Sequence, residues 1–597
     1  WKLDQTSGAT ATDSSPAASN GTVNGAANWA TDCAGTSVFD FNGSTNYISI
    51  ANASHLQPTS ALSIAAWIKG DSWGAGSSCD AILRKGDANP NNYQLDISDG
   101  RVELLLDGSE PTGHRGNTVL STGQWYHVAA VWDGATVRIF VDGVLDNTPP
   151  ARTGTIGIDT RALLIGGRSG SDQFDGMIRD VRFWNRAISD ADVKNLAGKP
   201  GHWMFSEGSG TTAADSSGNA NNATISGGAT WTTTCSGQNA LLTNGAGGIA
   251  QTASAFTPPD VGTVAFWMRS SGAPAGTTRI LGVGPDWEVR QNSDGRVISD
   301  LCGDGATTIG TVTPLTEVGR WYHFAATFDS SNDTYAIYVD GKLELSGINP
   351  VAMSQQPADL LSFGTRTGST EYWNGALRDV RVYSRKLCAT EIAELYGLVG
   401  HWKLDETSGL IAADSSGLGN HATYSGSPTL GVAAQIDLGT HFQTNGTLAI
   451  APASGSLNSL GKSNADFCVA FWVKPIATTG GWRPLFHKGS IDFERGPGIW
   501  FNPGNNRVHF RVSTTTNSND GTDSVANLAA GAWSHVACVK AGNKFLCYVN
   551  GVLDTEYTLA GTTTGNSGPL YLGDDPWYGG SNVHMDDVRV YNRSLCP

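Results

Sequence analysis

A short polar loop that occurs three times in the sequence carries an aspartate and an amide that could bind a metal ion. The second copy, DSSGNANN, begins at Asp215 and includes Asn222. Calcium takes about six to eight oxygen ligands from carboxylates, amides, backbone carbonyls and water. The matching residues of the other copies are Asp13, Asn20 and Asp414, with His421 at the last amide position. The loop therefore predicts a structural calcium site, weakest in the third copy because histidine is a poor calcium ligand.

Several tryptophans lie in glycine-rich stretches typical of loops, where they could stack against sugar rings. A tryptophan presents an apolar face together with a polar edge, and a glycan site needs both. The candidates are Trp73, Trp287, Trp373, Trp482 and Trp577. They do not recur as one constellation along the chain. The alternative is that these side chains pack at the bases of loops or in contacts between units or chains.

The chain shows no arrangement of residues typical of an enzyme. It lacks the motifs G-x-S-x-G and H-E-x-x-H and a glycine-rich phosphate loop. Asp574–Asp575 and Asp586–Asp587 are adjacent pairs, and on a strand such neighbours face opposite sides of the sheet. The sequence therefore predicts a protein without catalytic activity.

Nine cysteines raise the question of disulfides. Cys33 and Cys235 hold equivalent positions, each 32 residues after a tryptophan. An oxidising, extracellular compartment is the better interpretation of this cysteine content. We expect the pairs Cys33–Cys79 and Cys235–Cys302. Because nine is an odd number, at least one thiol is free or pairs outside the chain.

These loops and cysteines belong to a repeat of about 200 residues. Trp1, Trp203 and Trp402 lie 202 and then 199 residues apart, each twelve residues before the aspartate of the polar loop. Later phrases, such as WYHVA, WYHFA and WSHVA, keep the same order in each repeat. A segment of this length can bury its own core and fold alone. We predict three tandem domains, residues 1–198, 199–397 and 398–597, and call them units one, two and three.

Composition and local pattern predict β-structure almost throughout. Glycine accounts for 75 of the 597 residues and charged side chains for only 15%, which suits short strands joined by polar turns. Asp133-Gly134 and Asp142-Gly143 indicate two-residue hairpin turns. The continuously apolar stretch IAAWI predicts a central strand that is covered on both faces.

One short helix is expected to close each unit. In SDADVKNLAG, Ser189 can cap the helix, Asp192 lies three residues later and Gly198 ends it. The stretch CATEIAELYG repeats this pattern, with Gly397 as the end. Unit three ends at YNRSLCP, before its counterpart of this helix.

The ordered phrases resemble those of a known family. DSSG, FNG at 41–43, W-x-H-V-A, YVDG and DDVRVYNR follow one another as in the laminin-G-like jelly roll of the concanavalin A-like lectin and glucanase superfamily. The resemblance covers each unit from end to end. It implies an all-β protein of three tandem antiparallel β-sandwiches, an extracellular setting and, in many members, bound calcium. Glucanases of this superfamily carry E-x-D-x-x-E, which this chain lacks.

The resemblance also implies a second part of the calcium site. Related jelly rolls place the N-terminal loop beside the final strand, and the aspartates of that strand are Asp180, Asp379 and Asp587. Calcium would then lie between the loop and this strand. The alternative is that Asp215 caps a turn through backbone amides and that Asp379 pairs with Arg381.

Net charge and hydropathy limit the classes of function that the sequence allows. A net charge of −16 argues against a nucleic-acid partner, which would require a basic patch. No apolar run approaches the roughly 18–20 residues that span a membrane. We expect a non-catalytic, extracellular, structural or adhesive protein. Its partners would be copies of itself or cell-surface and matrix glycans and proteins; the alternative is a carbohydrate-binding surface or secreted module.

The junctions and the last unit suggest an assembly. Only four or five residues join the units, which predicts a semi-rigid string of domains. From the incomplete closing pattern of unit three we expect an excerpt of a longer repetitive polypeptide, or a subunit whose neighbour covers the gap. Head-to-tail contacts of that kind produce filaments. Cys596 could link subunits covalently or pair with a cysteine inside unit three.

Overall fold

The computed structural model describes residues 1–32, 34–74, 79–87, 92–107, 114–168, 170–198, 200–234, 237–284, 287–301, 309–354, 356–367, 369–443, 448–454 and 456–595. Strands account for 47% of the residues and helices for 4%. The predicted all-β fold class is therefore confirmed, with six antiparallel sheets that form sandwiches.

Unit one contains fourteen strands and the first helix. Its first sheet has the order β1-β2-β5-β13-β7-β8-β9 and its second the order β12-β11-β10-β6-β14-β4-β3. A single buried cluster of apolar side chains fills the space between them. The strands are β1 (Thr10–Ala11), β2 (Gly21–Asn24), β3 (Trp29–Thr31), β4 (Ser37–Asn42), β5 (Tyr47–Ile50), β6 (Leu62–Gly70), β7 (Cys79–Lys85), β8 (Tyr93–Ser98), β9 (Arg101–Leu106), β10 (Tyr126–Trp132), β11 (Val137–Val141), β12 (Val144–Leu145), β13 (Leu163–Ile165) and β14 (Asp175–Trp184).

Unit two repeats this plan. One sheet has the order β16-β17-β20-β29-β22-β23-β24-β25, and the other contains the run β19-β30-β21-β26, with β15 paired to β30. The strands are β15 (Gly201–Trp203), β16 (Thr212–Ala213), β17 (Ala223–Ser226), β18 (Thr230–Thr233), β19 (Asn239–Asn244), β20 (Ile249–Phe256), β21 (Val261–Ser270), β22 (Thr278–Val283), β23 (Trp287–Gln291), β24 (Val297–Leu301), β25 (Ile309–Gly310), β26 (Tyr322–Asp329), β27 (Thr334–Val339), β28 (Lys342–Ile348), β29 (Asp359–Phe363) and β30 (Asn374–Tyr383).

Unit three has the same two sheets. The orders are β34-β35-β46-β37-β42-β43-β44, with β31 paired to β46, and β32-β33-β36-β45-β38-β39-β40-β41. The strands are β31 (Leu398–Trp402), β32 (Ile411–Ala412), β33 (Ala422–Ser425), β34 (Thr429–Ala433), β35 (Leu438–Phe442), β36 (Leu448–Ala451), β37 (Phe467–Pro475), β38 (Arg483–Lys488), β39 (Gly498–Phe501), β40 (Arg507–Val512), β41 (Asp520–Asn527), β42 (Ser534–Ala541), β43 (Lys544–Val549), β44 (Val552–Thr558), β45 (Leu570–Leu572) and β46 (Val583–Tyr591).

The closing helices are present where the sequence predicts them. Helix α1 spans Asp190–Ala197, with a complete capping box between Ser189 and Asp192 and a left-handed Gly198 at its end. Helix α2 spans Ala389–Tyr396. Short 3-10 turns cover Ser54–Leu56, Leu457–Ser459 and Lys462–Asn464. None of the helices in the described part of the chain is long and apolar enough to cross a membrane.

One hairpin differs from its prediction. Asp142-Gly143 forms the expected two-residue turn, since both residues have positive φ values, 50° and 79°. By contrast, Trp132 pairs with Val137, so the turn at Asp133 holds four residues rather than two. The Asp133 carboxylate accepts two backbone N–H groups of its own turn at 2.9 and 2.7 Å, which stabilises the longer connection.

The repeated tryptophan at the start of each unit is a core residue. Trp203 and Trp402 are fully buried and Trp1 is 9% exposed. Each indole donates a hydrogen bond of 2.8 Å to a backbone carbonyl eighteen residues later. The repeat therefore ties the start of each unit to the end of the polar loop.

The chain folds into two compact bodies. The first consists of Trp1–Thr230, Leu241–Ile337 and Glu344–Cys388, and the second of Trp231–Ala240, Tyr338–Leu343 and Ala389–Pro597. The boundaries predicted at 198 and 397 stay predictions.

Candidate functional site

An unusual set of aromatic rings lies on one sheet of unit three. Strands β38, β39 and β40 are neighbours, and their side chains alternate between the core and the outer face. Ile499 and Phe501 point into the core. His487, Trp500 and His509 belong to these same strands and contact one another on the other face. The alternation thus brings three rings together across the sheet.

Two loop tryptophans extend this set into a continuous row. Ring centroids are 4.4 Å apart for Trp482 and His509 and 5.9 Å for His509 and Trp500. They are 5.2 Å apart for Trp500 and His487 and 4.8 Å for His487 and Trp577. We call these five side chains the aromatic row. Its two ends, Trp482 and Trp577, are half-buried, whereas its centre is buried.

Asp575 fixes one end of the aromatic row. Its Oδ2 atom lies 3.1 Å from His487 Nδ1 and accepts a hydrogen bond of 3.2 Å from Trp500 Nε1. Its Oδ1 atom accepts the backbone N–H groups of Trp577 and Tyr578 at 3.1 and 2.9 Å. One buried carboxylate therefore sets the orientation of the rings and holds the loop of Trp577 in place.

Asp523 fixes the other end. It lies 2.7 Å from His509 Nδ1 and accepts hydrogen bonds from Asn502 and Arg511 at 2.9 and 3.2 Å. Burial, with a further contribution from Arg511, lowers the pKa of His509 to about 4. At neutral pH the ring is uncharged and serves as an aromatic surface.

The rim of the row adds an exposed phenylalanine and a buried arginine. Phe493 is 64% exposed. The guanidinium of Arg495 lies 5.4 Å from the centroid of its ring and 5.1 Å from that of Trp500. A cation over an aromatic face is favourable, so the arginine bridges the buried centre and the exposed edge.

Asp574 precedes Asp575 in the sequence, and its buried carboxyl gives a pH-dependent prediction. Burial raises the pKa of this carboxyl to about 7. In the unfolded chain it titrates near 3.9. The contribution of this group to the free energy of unfolding is therefore present below about pH 4. It is lost as the pH rises through 7.

We expect Asp574→Asn to stabilise unit three at pH 8 by roughly 2–4 kcal/mol, because the amide carries no charge to bury. The gain should shrink as the pH falls and vanish below about pH 3, where the wild-type carboxyl is protonated in both states. Urea unfolding at the two pH values measures the difference. A gain of equal size at both would show that charge is not its cause.

The corresponding surfaces of units one and two are charged rather than aromatic. By strand register, Trp500 occupies the position of Asp96 in unit one and of Arg290 in unit two. In unit two, Arg290 belongs to a group of ion pairs around Glu288. Unit three alone, among the described residues, places a row of aromatic rings in tilted and edge-to-face contact on this sheet.

Sequence reasoning missed the centre of the row. His487, Trp500 and His509 were not among the candidates, although a signal exists. Trp500 stands between two core residues in GIWF, and His509 between two more in RVHFRV. A period of two places both on the face opposite the core.

Three of the predicted glycan-binding tryptophans are wrong or poorly placed. Trp287 and Trp373 are 0% and 1% exposed, so neither can stack against a sugar. Trp287 packs among core aromatics, and the Trp373 indole donates to Gln291 at 2.9 Å. Trp73 is half-buried and donates to a backbone carbonyl at 3.0 Å. Trp482 and Trp577 are the two candidates that the fold brings to one site.

The polar loop uses its aspartate to bind its own backbone. Asp215 Oδ1 accepts the N–H groups of His202 and Ser217 at 3.0 and 2.9 Å, and Oδ2 accepts that of Asn221 at 3.0 Å. The Asn222 amide oxygen accepts the N–H of Asp215 at 2.9 Å.

The other units repeat this arrangement. Asp13 accepts N–H groups of its own loop at 2.8 and 2.7 Å, while Asn20 accepts the N–H of Asp13. Asp414 accepts three backbone N–H groups, and His421 Nδ1 accepts the N–H of Asp414 at 3.0 Å. The histidine therefore takes over the role of the asparagine in unit three.

The aspartates of the final strand form ion pairs. Asp180, Asp379 and Asp587 each pair with the arginine two residues later, at 2.8, 2.8 and 2.9 Å. Asp379 and Asp587 also lie 2.7 Å from the ring of a histidine, His202 or His401. Burial alone would raise the pKa of Asp379, but Arg381 and His202 hold it well below its usual range.

This donor set does not fit a calcium ion. Calcium needs several carboxylate and carbonyl oxygens that face one point, whereas both carboxylate oxygens of Asp215 and of Asp414 already accept N–H groups. Across the part of the chain that the structure describes, no group of three His, Cys, Asp or Glu side chains could hold a metal. The geometry supports the alternative of a capped turn and an arginine pair.

We therefore expect Asp414→Ala to destabilise unit three by about 1–3 kcal/mol, because it leaves buried N–H groups without acceptors. The loss should be the same with calcium and with EDTA. Asp13→Ala is the matched control, since its loop is more exposed, and a smaller loss is expected there. If chelation lowers the melting temperature of the wild type but not that of Asp414→Ala, this account is contradicted and the loop binds calcium.

The cysteines differ in part from the expected pairs. Cys79 is a free thiol that accepts a hydrogen bond from Gln94 at 3.3 Å, so the pair Cys33–Cys79 is wrong. Cys79 begins β7 in one sheet, whereas β3, just before Cys33, belongs to the other sheet. Cys33, Cys235 and Cys302 lie outside the described residues. Cys388 is disulfide-bonded.

The sheets define a class of protein, tandem antiparallel β-sandwiches, and the third unit carries a row of aromatic side chains on one sheet. A sequence profile described as the concanavalin A-like lectin/glucanases superfamily matches residues 42–194, 243–393 and 444–597. The chain belongs to this family as three laminin-G-like domains. Among curated proteins, none matches the chain in sequence.

The solved structures with partial similarity to this chain come from several sources. Domain 4 of AbnA, a GH43 extracellular arabinanase from Geobacillus stearothermophilus in complex with arabinotriose, is 20% identical over 30% of this chain and 87% of its own, with a TM-score of 0.25. The LG1-3 region of the laminin alpha2 chain is 13% identical over 90% and 94%, with a TM-score of 0.20. The CBM40 of the Ruminococcus gnavus IT-sialidase, bound to alpha2,3 sialyllactose, is 17% identical over 24% and 84%, with a TM-score of 0.20.

Proposed function

We propose that unit three binds carbohydrate on its aromatic row and that the chain acts outside the cell without catalysis. The observation that carries this proposal is the row itself, with half-buried tryptophans at both ends. A sugar ring has an apolar C–H face and a rim of hydroxyls. Trp482 and Trp577 offer apolar faces, and neighbouring polar groups can bond the hydroxyls.

The carboxylates of the row support binding rather than hydrolysis. Glycoside hydrolysis needs one carboxyl as an acid and a second as a base or nucleophile across the scissile bond. Asp575 and Asp523 instead accept hydrogen bonds from the side chains and backbone that hold the rings. These contacts give both groups a positioning role.

A glycan array of neutral and acidic oligosaccharides tests the proposal. We expect wild-type protein to bind a defined subset and Trp577→Ala to lose it. Tyr548→Ala is the matched control, because this half-buried aromatic belongs to the other sheet of unit three. An array on which wild type and Trp577→Ala give the same signals would refute the proposal. The filament role expected from the sequence stays a prediction.

A further inference from the structure

Two cysteines face each other in the core of unit three. Cys538 lies on β42 and Cys547 on β43, and the register pairs them directly across the hairpin. Both are 0% exposed and belong to the apolar cluster that fills the unit. The structure records both as thiols. They are separate from the aromatic row, which lies on the other sheet of the unit.

The hydrogen-bond pattern of this hairpin places the two cysteines at a position that suits a disulfide. The Asn550 N–H donates to the His535 carbonyl at 2.8 Å, so these two residues form a hydrogen-bonded pair. Hydrogen-bonded and non-hydrogen-bonded pairs alternate along an antiparallel ladder. Cys538 and Cys547 lie three steps further along, at a non-hydrogen-bonded pair. Cα atoms of such a pair are about 4.5 Å apart, which falls within the range of about 4.4–6.8 Å that disulfides span.

The other two units carry a different pair at this place. In unit one, Ala130 pairs with Ile139, and both are buried in the core. The repeated phrases place Ala326 and Ile337, also buried, at these positions in unit two. A single buried cysteine needs no explanation beyond its apolar character. Unit three instead differs at both positions together, and the two positions are partners across the hairpin. The difference therefore concerns the pair.

The chain forms a disulfide elsewhere, and the core protects the thiols of this pair from exchange. Cys388 is disulfide-bonded, and a compartment in which such a bond persists is oxidising. Burial raises the pKa of Cys538 well above its usual range, and the neighbouring Cys547 adds to this shift. Because thiol–disulfide exchange requires the thiolate, the pair reacts before the core closes around it.

We propose that Cys538 and Cys547 form a disulfide across the β42–β43 hairpin when the chain folds in the presence of a low-molecular-weight disulfide. One cysteine thiolate attacks the small disulfide, which releases one small thiol and leaves a mixed disulfide. The second cysteine thiolate attacks the protein sulfur of the mixed disulfide and releases the other small thiol. One Sγ–Sγ bond thus replaces two Sγ–H bonds, and the small disulfide takes up two electrons and two protons. The stability of the unit that carries the aromatic row then depends on redox conditions.

Refolding of the reduced full chain with reduced and oxidised glutathione, followed by alkylation, unfolding and tryptic digestion, tests the proposal. Trypsin cleaves after Lys540 and Lys544, which lie between the two cysteines. We expect two peptides joined by one bond, lighter than the two reduced peptides together by the mass of two hydrogen atoms and separable by reduction. Alkylation of both cysteines, a bond to glutathione, or a bond from either of them to Cys468 would overturn the proposal.

The double variant Cys538→Ala/Cys547→Ile is the matched control, because it restores the buried pair of units one and two. Wild type and variant are refolded with glutathione or with dithiothreitol and compared by scanning calorimetry. In the wild type, reduction should lower the melting temperature of unit three by roughly 5–10 °C, and in the variant this transition should not move. Both proteins keep Cys388, so the difference between them isolates the pair. No shift in the wild type, or an equal shift in the variant, would contradict a disulfide at this site.

Discussion

Replacing Glu288 by glutamine is expected to destabilise unit two by about 3–5 kcal/mol, the cost of removing the central carboxylate from a buried group of ion pairs. Glu288 is 1% exposed. Its carboxylate lies 2.7 Å from Arg279, 2.9 Å from Arg290 and 2.7 Å from Arg366. Glutamine keeps the shape of the side chain but removes the charge that all three guanidinium groups share.

Scanning calorimetry of the full chain would show the effect as a downward shift of one unfolding transition. Asp294→Asn is the matched control, because Asp294 pairs with Arg296 at 2.8 Å with both side chains about half exposed. Such surface pairs contribute about 0–1 kcal/mol. If the two variants lose equal stability, the ion pairs around Glu288 stabilise unit two no more than an exposed surface pair does.

Trp402→Ala is expected to destabilise unit three by about 3–5 kcal/mol, the usual loss for a large aromatic side chain in a core. Trp402 is fully buried and its indole donates to the Asn420 carbonyl at 2.8 Å. The substitution removes both the packing and this hydrogen bond, which leaves the carbonyl of a buried residue without its donor.

The matched control for this change is Trp533→Ala. Trp533 is a half-buried tryptophan of the same unit, with a ring contact to His584 at 6.2 Å. We expect it to lose much less stability in urea unfolding monitored by far-UV circular dichroism. Similar losses for the two variants would contradict the assignment of Trp402 to the core.

The sequence predicts the fold well because its signals are local and repeated. In the phrase GHW, a Cβ on Gly400 would lie 2.5 Å from the Trp402 ring, and one on Gly201 would lie 2.2 Å from the Trp203 ring. The glycine thus makes room for the tryptophan two residues later. The capped turn at Asp215 and the helix cap at Ser189 are similarly short-range, so each can be predicted from a few neighbouring residues.

The candidate site depends on contacts between residues that are far apart in the sequence, and the spacing of residues alone does not predict those contacts. A register shift between Pro484 and Phe486 sets the face on which His487 lies. The loop of Trp577 is held by Asp575, which itself bonds to a strand 75 residues earlier. Trp287 and Trp373 stand in similar glycine-rich stretches but point into the core, so composition could not separate them from Trp482.

The most direct test of the account is calorimetric titration of the full chain with the oligosaccharide that binds best on the array. We predict a single site whose affinity falls at least tenfold, about 1.4 kcal/mol, in both Trp482→Ala and Trp577→Ala, and stays unchanged in Tyr548→Ala. Both tryptophans should matter because they occupy opposite ends of one row. No measurable binding by wild type, or equal affinity in wild type and both tryptophan variants, would contradict the claim that unit three recognises carbohydrate on this surface.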